Sequence, residues 1–325
     1  MLEHGGRIAA ATKRYGIAED DWLDLSTGIN PHGWAVPTVP ASAWQRLPEA
    51  DDDLHSAAAA YYGNPLLLPV AGSQAAIQAL PLLRQPGRVG VLSPGYNEHL
   101  HAWQRAGHQV QSLAFESMDS ASSQLDVVVL CNPNNPTGSV IAPETLGLWR
   151  ERLASRGGWL VVDEAFIDAT PTTSVTLASG QPGLIVLRSL GKFFGLAGAR
   201  VGFVCAWPEL LTTLNDALGP WTVSGPSRWV AAKALRDLTW HAATRATLAC
   251  DSARLGKLLT EHGLSPTGST MLFHWITTHR AKIIHESLAQ NGILSRYFAE
   301  PESLRFGLPG KEHEWHRLSE ALRRL

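Results

Sequence analysis

The sequence predicts an α/β protein: a mostly parallel seven-stranded sheet with helices on both faces, plus a smaller α+β domain. Two observations carry that reading. Seven short apolar runs, at 66–70, 88–92, 108–113, 126–131, 158–162, 184–188 and 201–205, alternate with helical segments near 73–84, 97–106 and 143–155. Such alternation marks a sheet built from strand–helix–strand crossovers. After about residue 208 the pattern changes to long helical stretches followed by short strands.

Each element has its own signal. Only residues 189–200 separate the last two apolar runs, too few for a helical crossover, so the seventh strand is expected to run antiparallel. Helices are expected at 208–217 and 226–262, the second with Pro226 near its start and Gly263 past its end. A strand at 270–276, a helix at 280–290, short strands near 293–298 and 303–307, and a helix at 311–324 complete the small domain. Ahead of the sheet, 6–16 reads as helical, 22–25 as a short extended run and 28–33 as a loop. A helix at 51–62 ends at Gly63-Asn64-Pro65. The expected division is an amino-terminal segment, 1–40, joining the small domain and covering the active site; a large domain, 41–222; and a small domain, 223–325.

Composition narrows the function classes. A hydrophobic content of 45% with 17% charged residues suits a folded protein with much buried surface. The net charge of -2 gives no reason to expect nucleic acid or an anionic membrane as partner. No apolar stretch is long enough to span a bilayer. His4 and Arg7, ahead of alanines, do not make a secretory leader. Cys131, Cys205 and Cys250 are too far apart to suggest a disulfide framework or a zinc site, and a reducing cytoplasm is the expected setting.

The chemistry concentrates after the apolar runs, where ligands bind in open α/β sheets. Gly72-Ser73-Gln74 opens a helix and offers backbone N–H groups to an anion. Ser93-Pro94-Gly95-Tyr96 brings an aromatic face, and Asn135 within Asn132-Pro133-Asn134-Asn135-Pro136-Thr137-Gly138 brings an amide donor. Asp163 ends an apolar run, where a carboxylate needs a partner. Ser189 and Arg200 flank the loop that holds Lys192. Of the six lysines, Lys192 alone sits among Gly, Phe, Leu and Ala, where desolvation favours the neutral amine and suits it to attack a carbonyl. A phosphate-binding P-loop is excluded, because Val186 and Phe193 stand where that motif needs Gly and Ser or Thr. Taken one by one, these features also have plain readings as a helix cap, a turn or a strand-end arginine. Together, a phosphate cup, an aromatic platform, a buried carboxylate and a desolvated lysine specify pyridoxal phosphate.

At these residues the chain resembles the fold-type-I pyridoxal-phosphate enzymes of the class I/II aminotransferase family. The matching text is Asn-Pro-Asn-Asn-Pro-Thr-Gly at 132–138, Asp-Glu-Ala-Phe at 163–166, and Ser189-x-x-Lys192 followed by Arg200. The resemblance implies cofactor contacts for Gly72, Ser73, Gln74, Tyr96, Asn135, Asp163, Ser189, Lys192 and Arg200, with Lys192, Asp163 and Tyr96 at the chemistry. It implies a substrate-carboxylate role for Arg305 and a homodimer with active sites at the interface. Two departures stand out. Phe166 replaces a tyrosine that bonds the cofactor's phenolic oxygen in many relatives, and Leu47 replaces one that reaches the neighbouring subunit's cofactor phosphate.

His4-Gly5-Gly6-Arg7 and the segment 24–33 resemble the branch of the family that decarboxylates a phosphorylated amino acid in cobalamin biosynthesis. The activity thus implied converts L-threonine O-3-phosphate to (R)-1-amino-2-propanol O-2-phosphate. The alternative is a histidinol-phosphate-type aminotransferase. His4, Gly5, Gly6, Gly28, Asn30 and His32 are the candidates for the substrate, the glycines allowing close backbone approach to its phosphate. A metal held by His99 and His101 is set aside as chance spacing on a surface segment, and His313 and His316 as a polar helix face.

Overall fold

The computed structural model describes residues 4–325. It forms two compact units. The larger comprises residues 33–135 and 140–242; the smaller holds the described residues up to His32, 136–139 and 243–325. These bounds differ from the expected 40/41 and 222/223. The helix Gly225–Arg236 packs on the helix Asp53–Tyr62, both within the large unit. Arg228 donates two hydrogen bonds, of 2.5 and 2.6 Å, to Asp52 at that contact. The expected 226–262 helix is two helices, Gly225–Arg236 and Leu238–Glu261, parted at Asp237. Its carboxylate accepts from the Trp240 N–H at 3.0 Å and from the Trp34 indole N–H at 3.0 Å, so it caps the second helix.

The seven strands of the large unit are β1 (Leu67–Val70), β2 (Arg88–Leu92), β3 (Gln109–Leu113), β4 (Val127–Cys131), β5 (Trp159–Asp163), β6 (Leu184–Ser189) and β7 (Gly202–Cys205). They lie in the order β1-β7-β6-β5-β4-β2-β3. β7 is antiparallel to both neighbours, as the short 189–200 connection requires, and the other pairs are parallel. The central strands are apolar on both faces: Val127, Val128, Leu160, Val162, Ile185 and Val186 are all fully buried. Burial on two sides is why these strands read as continuous apolar runs instead of alternating ones. The carboxyl ends of β1, β2, β4, β5 and β6 and the amino end of β7 therefore share one rim.

In the small unit a four-stranded antiparallel sheet runs Arg296–Phe298, Ser303–Gly307, Phe273–Thr277, Gly268–Thr270. The last strand was not expected from the sequence: it is three residues long and half-exposed, with no apolar signal. Arg296 and Arg305 are direct cross-strand partners. The amino-terminal segment is built into this unit. Leu23–Asp24 pairs in parallel with Ile293–Leu294, and the Gly307 N–H donates to the Leu25 carbonyl at 2.7 Å.

Candidate active site

The rim of the large unit gathers the residues that the motifs singled out. Asp163 is 3% exposed at the end of β5. One of its oxygens accepts the Ala165 N–H at 3.0 Å; the other lies 3.0 Å from Nε2 of His99, itself 2% exposed. An ionised carboxylate can only accept, so Nε2 is the donor. His99 was set aside as a surface histidine; it is in fact the partner that lets a carboxylate be buried there. The signal was present in helical phase. Tyr96, His99 and Trp103 recur at i, i+3 and i+7, which puts His99 on the inward face, while His101 is exposed. Cys131 lies beside this pair, its thiol within 4.8 Å of the other two groups' ligand atoms. Burial, and then the Asp163 charge, push that thiol's pKa well up, so it stays protonated and is a poor metal ligand. Replacing His99 by Phe is expected to lower turnover about tenfold, as losing a partner that only orients a reacting group does. Steady-state rates of the cofactor-loaded variant measure this, and full activity would remove His99 from the account.

Tyr96 stands edge-on to His99, with ring centroids 5.9 Å apart. Burial first, then Asp163, raises its phenol pKa, so the ring stays neutral and can stack. Gln74 is fixed by donating to Glu98 at 2.8 Å and accepts from the Tyr96 hydroxyl at 3.4 Å. The approach of Arg200 to Gly72 is equally determined. Gly72 has φ 72°, and a Cβ there would lie 2.5 Å from a terminal nitrogen of Arg200. Only glycine lets that guanidinium close over the start of the helix Ser73–Ala79. Arg200 is itself held in a left-handed conformation, φ 51°, and braced by a 3.0 Å bond from its guanidinium to the Ala197 carbonyl. Such backbone strain is characteristic of functional positions. Ser189 Oγ accepts the Gly191 N–H at 3.2 Å, shaping the turn toward Lys192.

Lys192 is half-buried, with Nζ 5.5 Å from the centroid of the buried Phe166 ring. An aromatic bed supports its loop. Phe193 and Phe194 are fully buried, and Trp240, His241 and Tyr61 pack around them. A second buried network ties the Asp163 loop to β6. Arg188 donates to Glu164 at 2.7 Å and to Asp168 at 2.5 Å, and Tyr61 donates to Asp168 at 3.1 Å. The motif text shows Glu164 but gives no sign of its partners. Asn135 is half-buried on the rim, in a loop pinned by Asn132, which both donates to and accepts from Ile141.

The small unit assembles a different set. The Gly6 N–H donates to Ser26 Oγ at 2.7 Å, and Ser26 Oγ donates to Asp24 at 2.5 Å. A Cβ on Gly5 would lie 2.3 Å from the Ser26 carbonyl oxygen, so only glycine fits there. That same carbonyl accepts from Arg305 at 2.8 Å. Arg305 is 6% exposed; burial, then the neighbouring Arg296, bring its pKa down to about 10, which leaves it charged near neutrality. His4, Gly5 and Ser26 line a cavity of about 450 Å³ in this unit. Gly28 and Asn30 are buried nearby in sequence, Asn30 accepting the His32 N–H at 2.8 Å. His32 lies 2.8 Å from Asp251, so its ring is held by the helix Leu238–Glu261 and not within the His4 cavity's lining.

Across residues 20–322 the chain matches the family model for aminotransferase class I and II. The chain belongs to this family. It is 54% identical to a threonine-phosphate decarboxylase from Pseudomonas aeruginosa, over 99% of this chain and 97% of the relative. A Sinorhizobium protein of the same description is 44% identical over 100% and 98% of the two chains. Among solved structures, a histidinol-phosphate aminotransferase from Sinorhizobium meliloti, in complex with pyridoxal-5'-phosphate, superposes with a TM-score of 0.84 at 21% identity. It covers 99% of this chain and 96% of that one. The cofactor that this family implies, pyridoxal phosphate, fits the rim's donor set. The cup of Gly72, Ser73 and Arg200 suits its phosphate, and the buried Asp163 suits a protonated ring nitrogen.

Proposed function

We propose that this chain is a pyridoxal-phosphate-dependent threonine-phosphate decarboxylase. It converts L-threonine O-3-phosphate to CO2 and (R)-1-amino-2-propanol O-2-phosphate, a step of cobalamin biosynthesis. The observation that carries the choice within the family is the 54% identity to a decarboxylase along nearly the whole length of both chains. The His4-Gly5-Gly6 segment supports it, locked against Ser26 beside the buried Arg305.

Bound pyridoxal phosphate supplies an electron sink for the pair released when the bond between C2 and the carboxylate breaks. The protein's own groups do the rest. Lys192 carries the cofactor through its amine and then returns a proton to C2. Asp163, oriented by His99, holds the proton on the ring nitrogen. Tyr96 covers the ring face, and Asn135 donates to the phenolic oxygen in place of the hydroxyl that Phe166 lacks. Ser73, Ser189 and Arg200 hold the cofactor phosphate, and Arg305 receives the substrate carboxylate. The substrate phosphate falls to the His4 cavity.

The protein acts as a homodimer in the cytoplasm. Trp44 and Leu47 support the first point, being 69% and 66% exposed on the large unit. Among the described residues, no helix is long and apolar enough to cross a membrane.

Incubating the cofactor-loaded enzyme with L-threonine O-3-phosphate, with and without a 2-oxo acid, tests the function. CO2 release that is independent of the 2-oxo acid is expected; turnover only with the acceptor would make it an aminotransferase. Removing residues 1–6 is expected to raise the KM for threonine phosphate about tenfold or more, the cost of losing a charge-assisted contact. Cofactor uptake, followed by visible absorbance, should not change. An unchanged KM would release the amino terminus from the substrate.

A further inference from the structure

Arg296, Arg305, Trp275 and Gly268 lie side by side across the four strands of the small unit's sheet. Directly paired residues point to the same face with Cβ atoms about 5 Å apart, so these positions form one row. No side chain fits at Gly268, because the Thr137 carbonyl, in the same unit, lies over it. The Trp275 indole borders that place: a Cβ on Gly268 would meet its Cε3 atom at 3.8 Å. In an indole, Cε3 and Nε1 are on opposite edges. With the Cε3 edge toward Gly268, the Nε1 edge faces the other neighbour in the row, Arg305.

That Nε1 is shut off from solvent and has no acceptor among the described residues. An indole nitrogen can only donate, and a buried one usually finds a partner. Leaving a buried N–H without an acceptor is costly, so its position beside Arg305 points to an acceptor that a ligand brings. Arg305 sets the character of that acceptor. Its guanidinium donates to the Ser26 carbonyl at 2.8 Å and lies 5.0 Å from the centroid of the Phe273 ring, contacts that hold the cation in place. An acceptor shared by a fixed cation and an N–H is best an anion. A carboxylate has two oxygens, one for the guanidinium and one for the indole. The indole also adds a donor without adding a charge, in a row where Arg296 and Arg305 are already like charges in register.

We propose that the Trp275 indole N–H donates to the substrate carboxylate beside Arg305, which makes Trp275 a specificity-determining residue for the amino acid over its decarboxylated amine. The proposal rests on the decarboxylase reading and deepens it. The carboxylate is the group that the reaction removes. 1-Amino-2-propanol O-2-phosphate therefore offers this donor nothing, and the contact favours substrate over product. Discrimination of this kind is strong where a site is built to bond a polar group that the competitor lacks.

The test compares two ligands that differ in the carboxylate alone. The KM for L-threonine O-3-phosphate and the inhibition constant for 1-amino-2-propanol O-2-phosphate are measured for the cofactor-loaded wild type, Trp275→Phe and Trp275→His. Phenylalanine keeps an apolar ring and removes the donor; histidine keeps a ring N–H. Trp275→Phe should raise the KM about tenfold, the size of one hydrogen bond to a charged group, and leave the inhibition constant within about twofold. Trp275→His should fall between the wild type and Trp275→Phe. Both constants are read on the folded, active fraction, so the comparison stands even where a variant folds poorly. An unchanged KM in Trp275→Phe would overturn the contact. A KM and an inhibition constant that rise together would overturn the carboxylate assignment, because a structural defect or a phosphate contact moves both. Absence of CO2 from the wild type would instead overturn the decarboxylase reading.

Discussion

Replacing Lys192 by Ala is expected to abolish turnover to within detection, a loss of at least about 10³-fold. Two duties fall on this amine, carrying the cofactor and returning the proton. The surrounding bed of Phe193, Phe194 and Trp240 is apolar and does not depend on the ammonium, so the variant should fold and melt like the parent. Borohydride reduction of the parent enzyme followed by peptide mapping should place the cofactor on the peptide containing Lys192. A label on another lysine, or a Lys192→Ala enzyme with appreciable turnover, would contradict the assignment.

Asp163→Asn is expected to cost roughly 10²–10³ in turnover, the scale for removing one preorganised charge from a reacting centre. The amide is isosteric, but it has one acceptor oxygen where the carboxylate has two. It keeps the Ala165 N–H and turns its NH2 toward His99, which must switch tautomer to accept. The fold should persist with a loss of about 1–3 kcal/mol. The cofactor should still bind, because its phosphate cup and Lys192 are untouched. Its visible spectrum should change, since the ring nitrogen is no longer held protonated. Turnover close to that of the parent would mean that the electron sink does not depend on this carboxylate.

Much of this was legible in the sequence for definite reasons. Strands buried on both faces must be apolar throughout, so β4, β5 and β6 announced themselves. The short link from β6 to β7 forced the antiparallel turn that returns Arg200 to the rim. The loops at the strand ends carried motif text because their backbones are constrained residue by residue, as Gly72 and Arg200 show. What stayed hidden depends on contacts between distant positions. His99 is separated from Asp163 by two strands of sequence, and only its helical phase hinted that it points inward. The break at Asp237 depends on Trp34, some two hundred residues earlier. Arg7, Lys282, His285 and Arg296 form no motif, and only the folded small unit brings them to one cavity. The expected role of His4 drew attention to that cavity without revealing the cations that share it.

The chemistry can be read in a single measurement. The cofactor-loaded enzyme is given L-threonine O-3-phosphate in D2O, and the products are followed by proton and phosphorus NMR. Decarboxylation with one returned proton predicts one CO2 per substrate consumed, an intact phosphate ester, and a single deuterium on C1 of 1-amino-2-propanol O-2-phosphate. A phosphorylated 2-oxo acid with the cofactor converted to its amine form, or deuterium at C2 of recovered threonine phosphate without CO2, would contradict it.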